Sequence, residues 1–224
     1  MSLEANAQLK TPAQQQWTYR DDSVPRWRVL ELSLIAPSSF ENPLHDANLI
    51  STLTAPSGRR TVWHCFWDGD NDWRIRFSPD EEGVWNNQLE LKDANGTVVT
   101  SSKGMLTVLS ALRETRFDRH GPIRVADDKR NLVHADGTPF FWMGDTAWNG
   151  PLRSTDEEWD LYIDTRTRQR FNTVQWVATQ WRSSRTDIEG NLTFTGTDQI
   201  QVNPTFFQRL DRRLESLTTA NFLN

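Results

Sequence analysis

Between residues 139 and 222 the apolar pattern changes period three times, and this order restricts the fold more than any other feature of the chain. "PFFWM" (139–143) is an unbroken apolar run that reads as a buried strand closed by Gly144. "STDEEWDLYIDTRTRQRF" (154–171) spaces Trp159, Tyr162, Ile163 and Arg166 by three and four, the period of a helix. "NTVQWVATQW" (172–181) is a second apolar strand, and "NPTFFQRLDRRLESLTTANF" (203–222) a second helix with Phe206, Phe207, Leu210, Leu214 and Leu217 on one face. Strand, helix, strand, helix predicts parallel pairing, because a helical crossover returns the chain to run in the same direction. Parallel strands need cover on both faces. Two such units are about a quarter of a (β/α)8 barrel. The expectation is therefore that residues 122–224 form the N-terminal portion of a barrel left incomplete in this chain. Its apolar surface would then need a remaining barrel segment or an oligomer contact to cover it.

The helix ends carry their own signals. Ser154 with Glu157 three residues on reads as a capping box. Asp156, Glu157 and Glu158 suit the positive end of that helix, and Arg166, Arg168 and Arg170 its negative end. Asn203 is a good N-cap, followed by Pro204 at a position where its missing N–H costs nothing.

Residues 17–110 follow a different rule. In "DWRIRF" (72–77) Trp73, Ile75 and Phe77 share one face, and Arg74 and Arg76 the other. "RWRVLELSL" alternates Trp27, Val29 and Glu31 against Arg28, Leu30 and Leu32. Further short strands, "NLISTLTAPSG", "RTVWHCFWDG", "NQLELKDANGTVV" and "GMLTVLSAL", are separated by Gly, Pro, Asn and Asp turns. That spacing predicts an antiparallel β-sandwich over 17–110. A polar stretch supplies a linker at 111–121, and residues 1–16 form a flexible arm.

Composition excludes several classes of function. The net charge of -5, with acids and bases interspersed, argues against a nucleic-acid partner. No 18-residue apolar run is present, so no membrane partner is expected. The opening "MSLEANAQLKTPAQQQ" is not a signal peptide, which leads to a cytoplasmic expectation, or a secreted one if a leader has been removed. The single cysteine, Cys65, excludes a disulfide within the chain and reads as a small core residue. His45, His64, His120 and His134 are dispersed, and no cofactor or metal is called for. "DGDND" alternates Asp68, Asp70 and Asp72, but Trp73 and Pro79 stand where a calcium loop needs glycine and glutamate, so it reads as a polar hairpin turn. Tryptophan is the unusual residue, 11 against two tyrosines. Rings in that number either fill a small β-core or stack on sugars. Trp63, Trp67, Trp73 and Trp85 are assigned to the core.

At "DGTPFFWMGDTAW", "STDEEWDLYIDTRTRQRFNTVQ" and "NPTFFQRLDRRLE" the sequence resembles the apiosidase-like glycoside hydrolases. "RWRVLELSL", "FENPLHDANLISTLTAPSG" and "FWDGDNDWRIRFSPDEEGVW" resemble the Ig-like domain that often precedes such barrels. The resemblance implies a multidomain chain, an antiparallel Ig-like β-sandwich followed by the first part of a (β/α)8 TIM barrel. It also implies hydrolysis of glycosidic bonds in plant cell-wall-type polysaccharide or oligosaccharide. The alternative is a non-catalytic carbohydrate-binding or domain-bracing module. Barrel glycosidases use two carboxylates on later strands, so the catalytic pair is expected beyond Asn224 and this chain alone is expected to be inactive.

The expected substrate-binding residues are Asp145, Thr146, Trp148, Gln175 and Trp181. Asp145 and Thr146 stand at the end of the first strand, where a barrel mouth would lie. An aspartate there either accepts hydrogen bonds from sugar hydroxyls or caps its own loop. Trp148 and Trp181 follow the two strands as stacking platforms or as packing under a loop. Gln175, within the second strand, needs a polar partner if it faces inward.

Overall fold

The computed structural model describes residues 23–179 and 185–224. The 1–16 arm, the first residues of the expected sandwich and both Gln180 and Trp181 lie outside these. The first half holds β1 (Ser23–Pro25), β2 (Leu30–Ile35), α1 (Pro43–Asp46), β3 (Ala47–Thr54) and β4 (Arg60–His64). It continues with β5 (Phe66–Gly69), β6 (Asp72–Phe77), β7 (Gly83–Asp93) and β8 (Val98–Leu109). These make a five-stranded sheet in the order β1-β8-β7-β3-β4 and a three-stranded one in the order β2-β6-β5.

One core lies between the two sheets. The alternation of "DWRIRF" buries Trp73, Ile75 and Phe77 from β6 against Leu49 and Leu53 of β3 and Trp85, Leu89 and Leu91 of β7. On β2 the buried residues are Leu32 and Leu34. Trp27 is not part of that strand; it sits in the preceding turn at φ 69. Its ring lies over Gly121, where an added Cβ would come within 2.8 Å of the indole.

After β8 come α2 (Arg116–His120), β9 (Ile123–Val125), β10 (Leu132–His134) and β11 (Pro139–Phe140), the three strands pairing in the order β11-β10-β9. Next are β12 (Gly144–Trp148), α3 (Gly150–Arg153), α4 (Asp156–Arg168) and β13 (Thr173–Trp176). A small hairpin of β14 (Phe194–Thr195) and β15 (Gln201–Val202) leads into α5 (Pro204–Thr219).

The topology corrects both halves of the expected fold class. The first half is not an antiparallel Ig-like sandwich. β1 runs parallel to β8, which makes the larger sheet mixed, and both sheets end in open edges. Nor is the second half the first part of a (β/α)8 TIM barrel. A barrel closes only if each strand pairs on both sides with a fixed stagger. Among the described residues β12 pairs with β13 alone, and β13 adds only an isolated parallel bridge from Thr173 to Leu223. The described residues hold five helices, the longest of 16 residues, and none is long and apolar enough to cross a membrane.

The cap of α4 falls one residue later than the sequence suggested. Thr155 Oγ1 accepts from Glu158 N at 3.2 Å, and the Glu158 carboxylate accepts from Thr155 N at 2.9 Å. α5 buries Phe206, Leu210 and Leu217 as expected, together with Arg209 and Arg213. Arg209 donates to the carbonyls of Pro151, Leu152 and Ser154.

Polar contacts join α5 to the three-stranded sheet. Arg76 of β6 makes a two-pronged pair with Asp211, at 2.7 and 2.6 Å. Gln208 Nε2 donates to the Asp68 carbonyl at 2.9 Å. The "DGDND" turn is held by Arg74, which pairs with both Asp68 and Asp72, while Gly69 and Asp70 take up positive φ to reverse the chain.

Candidate functional site

β12 and β13 run parallel with Gly144 opposite Thr173, Asp145 opposite Val174 and Thr146 opposite Gln175. Side chains alternate across such a pair. One face is covered: Ala147 and Val174 pack with Trp159, Ile163, Leu217 and Phe222 from the helical side. The other face is open, and it presents Thr146 and Gln175 to solvent.

Trp142 borders this open face, while Trp148 pairs with Trp176 at the end of the strand. Trp142 lies against Gly144, where an added Cβ would fall 2.6 Å from the indole nitrogen, and its ring is 53% exposed. Any larger residue at 144 would displace it. Trp148 stands at a register shift in β12, at φ 47 and 55% exposed. A bulky residue in the left-handed region is strained, and such residues cluster where structure is held for a purpose.

Asn172 positions the approach to β12. Its side-chain carbonyl accepts from Met143 N at 2.9 Å, and its amide donates to the Phe141 carbonyl at 2.6 Å. This clamp holds residues 141–143 as an exposed link, so the single strand expected over 139–143 is not formed. Phe140 belongs to β11 and pairs with Leu132 instead. Asn172 was not among the expected site residues. Its only signal in the sequence is an amide set immediately before an apolar strand.

Asp145 consequently sits near the start of β12, not beyond the end of a strand, and its carboxylate is engaged on the helical side. Oδ2 accepts from Tyr162 Oη at 2.9 Å and from Arg166 Nε at 2.5 Å, both on α4. Oδ1 accepts from Thr146 N at 2.9 Å. Burial by itself would raise the Asp145 pKa, but the hydrogen bonds from Arg166 and Tyr162 outweigh it and hold the carboxyl below the usual range. Burial, reinforced by the neighbouring carboxylate, pushes the Tyr162 phenol up to about 12. Arg166 also lies over the rings of Tyr162 and Phe171, at 5.3 and 5.2 Å. An aspartate ionised throughout the ordinary pH range, with both oxygens occupied, anchors α4 to β12 and is a poor proton donor.

The structure thus brings together Thr146, Gln175 and the exposed Trp142 indole, sets Trp148 at the end of β12, and turns Asp145 away from them. Neither β12 nor β13 places a carboxylate on the open face. A hydroxyl, a primary amide and aromatic planes can bind a neutral polyol through hydrogen bonds and ring contacts. They cannot themselves carry out acid–base chemistry.

Residues 126–224 match a family model described as apiosidase-like, catalytic domain, and residues 23–92 match one described as a domain of unknown function (DUF5060). No curated protein matches the chain. Among solved structures, a protein from Bacteroides vulgatus ATCC 8482 described as a glycoside hydrolase is 24% identical with a TM-score of 0.71. That match covers 90% of this chain and 40% of the other, so the chain spans less than half the length of that relative. At this identity the likeness is one of fold. A glycoside hydrolase family 5 protein from the same organism, 23% identical over 48% of this chain and 24% of its own, has a TM-score of 0.41, too low to build on. The chain is thus similar to the apiosidase-like catalytic domains over residues 126–224, with the domain of unknown function preceding that match.

Proposed function

We propose that the chain serves hydrolysis of glycosidic bonds in plant cell-wall-type polysaccharide or oligosaccharide, and that the open face of β12 and β13 binds the saccharide. The observation that carries this reading is the uncharged, exposed face of Thr146 and Gln175 beside the exposed Trp142, inside the segment that matches an apiosidase-like catalytic domain. In this reading Thr146 and Gln175 bond hydroxyls, and Trp148 offers a ring face. Asp145 positions Thr146 through the backbone N–H it accepts. The role of these two strands is binding, since their one carboxylate is committed to Arg166.

The first half braces the second. The Arg76–Asp211 pair and the Gln208 bond to Asp68 favour this, because they tie α5 directly to the three-stranded sheet. We place the division between the two units at 111–121.

The test is titration of the purified chain with cellohexaose, xylohexaose and a hexagalacturonide, followed by tryptophan fluorescence, alongside an assay for released reducing ends. Gln175→Ala and Trp148→Ala should each weaken binding roughly ten-fold, the scale of one lost contact of about 1–2 kcal/mol. Affinity untouched by both substitutions would remove the saccharide from this face.

A further inference from the structure

A concavity lies among α1, β3, β5, β6 and the turn after β7, with Gln201 and Val202 of β15 also lining it. It is a cleft of about 730 Å³, within the range of small-molecule sites. Its floor is Trp73, buried and held edge-on by Phe40 with ring centroids 6.2 Å apart. Trp67, directly opposite Trp73 in the ladder, forms one side and is half-buried. The Trp67 Nε1 donates to the Asp70 carbonyl at 2.9 Å, which fixes the plane of the ring. The opposite side and lip carry Asn48, Lys92, Glu41 and His45.

The chemistry of this lining selects among ligands. An oriented indole with a second one beneath it offers an aromatic surface to an apolar sugar face. Donors and acceptors around it suit hydroxyls. Glu41 and Asp93 stand against the single Lys92, itself paired with Glu90, so the cleft carries no bias towards an anion. β5, the neighbouring edge strand, has four residues and a register shift between Trp67 and Gly69, which makes it a poor template for an added peptide strand. Cys65 also lines the cleft, and burial pushes its thiol up to about 12, so it is not a nucleophile at neutral pH.

We infer that this cleft is a second, non-catalytic saccharide-binding site, taking a short neutral oligosaccharide against Trp67. It borrows the substrate class from the proposed function but stands on residues remote in sequence from β12 and β13. Its role is to hold a polymeric substrate beside the rest of the molecule.

The experiment is isothermal titration of the 224-residue chain with cellohexaose and xylohexaose, comparing wild type with Trp67→Ala, Asn48→Arg and Gln175→Ala. Asn48 is exposed at the rim, so the arginine blocks the cleft without touching the core and guards against a folding defect in Trp67→Ala. At least one of the two sugars should bind. Trp67→Ala and Asn48→Arg should each weaken one binding event ten-fold or more, while Gln175→Ala leaves that event unchanged. Binding lost in Gln175→Ala but intact in both cleft variants would overturn the inference and leave the β12–β13 reading standing. The converse pattern would sink the β12–β13 reading alone. No binding of either sugar would overturn the inference.

Discussion

Replacing Asp145 by asparagine separates an anchoring role from a sugar-binding one. The side chain keeps its shape but loses its charge, and one of its two oxygens becomes an amide that donates. In the native protein Oδ2 takes two donors from α4, Tyr162 Oη and Arg166 Nε, and Oδ1 takes the Thr146 N–H. Asparagine can satisfy one side or the other, but not both. A charge-assisted hydrogen bond contributes about 1.5–3 kcal/mol. The Asp145 and Arg166 side chains are 23% and 30% exposed, so solvent screening reduces this towards the surface range. A net loss of about 1–2 kcal/mol follows, or about 2–8 °C in Tm for a chain of this size. The sign with pH is fixed by the direction of the shift. The folded-state pKa of Asp145 is depressed, so its stabilisation is complete above the unfolded carboxylate value of about 3.9 and is lost as pH falls through the lower folded value. Thermal unfolding of wild type, Asp145→Asn, Arg166→Leu and the double variant at pH 7 measures the coupling. The gap between wild type and Asp145→Asn should narrow on acidification. Additive single effects with no coupling would refute the argument, as would loss of saccharide affinity in Asp145→Asn with an unchanged Tm.

Other substitutions test the packing around the site. Thr155→Ala should cost about 1 kcal/mol in chemical denaturation by removing the acceptor for Glu158 N. Ser154→Ala should be neutral or slightly stabilising, because the Ser154 hydroxyl is buried with no hydrogen-bond partner among the described residues. Arg209→Met should cost about 1–3 kcal/mol, since the Pro151 carbonyl loses its donor while Leu152 O keeps Ile188 N and Ser154 O keeps Arg213, and the loss should appear as a lowered denaturation midpoint. Trp73→Ala should cost about 3–5 kcal/mol in the same assay, whereas Trp63→Ala, whose side chain is 41% exposed on β4, should cost less than about 1 kcal/mol.

Where one local rule decides the outcome, the sequence is a good guide. α5 begins at Asn203 and Pro204 because a proline at the first helical position loses no hydrogen bond, and its apolar spacing names the buried face. "DWRIRF" becomes β6 because alternation leaves its three apolar residues only one side to bury. The tryptophans were harder to place. Trp63 and Trp67 read as one strand, yet the chain leaves the five-stranded sheet at Cys65 and enters the three-stranded one, with unbroken alternation hiding the crossing. The parallel pairing of β1 with β8 joins opposite ends of the first half, and no local pattern encodes it.

The candidate site shows the same limit at the scale of one residue. "PFFWMGDTAW" contains more apolar residues than one strand uses, and hydropathy does not say which of them pair. The division is made by distant partners: Leu132 and Val133 take Phe140 and Pro139, and the Asn172 amide holds the backbone at Phe141 and Met143. Only then does β12 begin at Gly144, in register with Thr173. A slip of one residue in that register would exchange the faces of the strand. It would bring Asp145 to the open side with Gln175 and turn Thr146 towards α4. The two donors on α4 oppose that slip, because Tyr162 and Arg166 would lose the carboxylate they share. The aspartate therefore sets which side chains of β12 reach the open face.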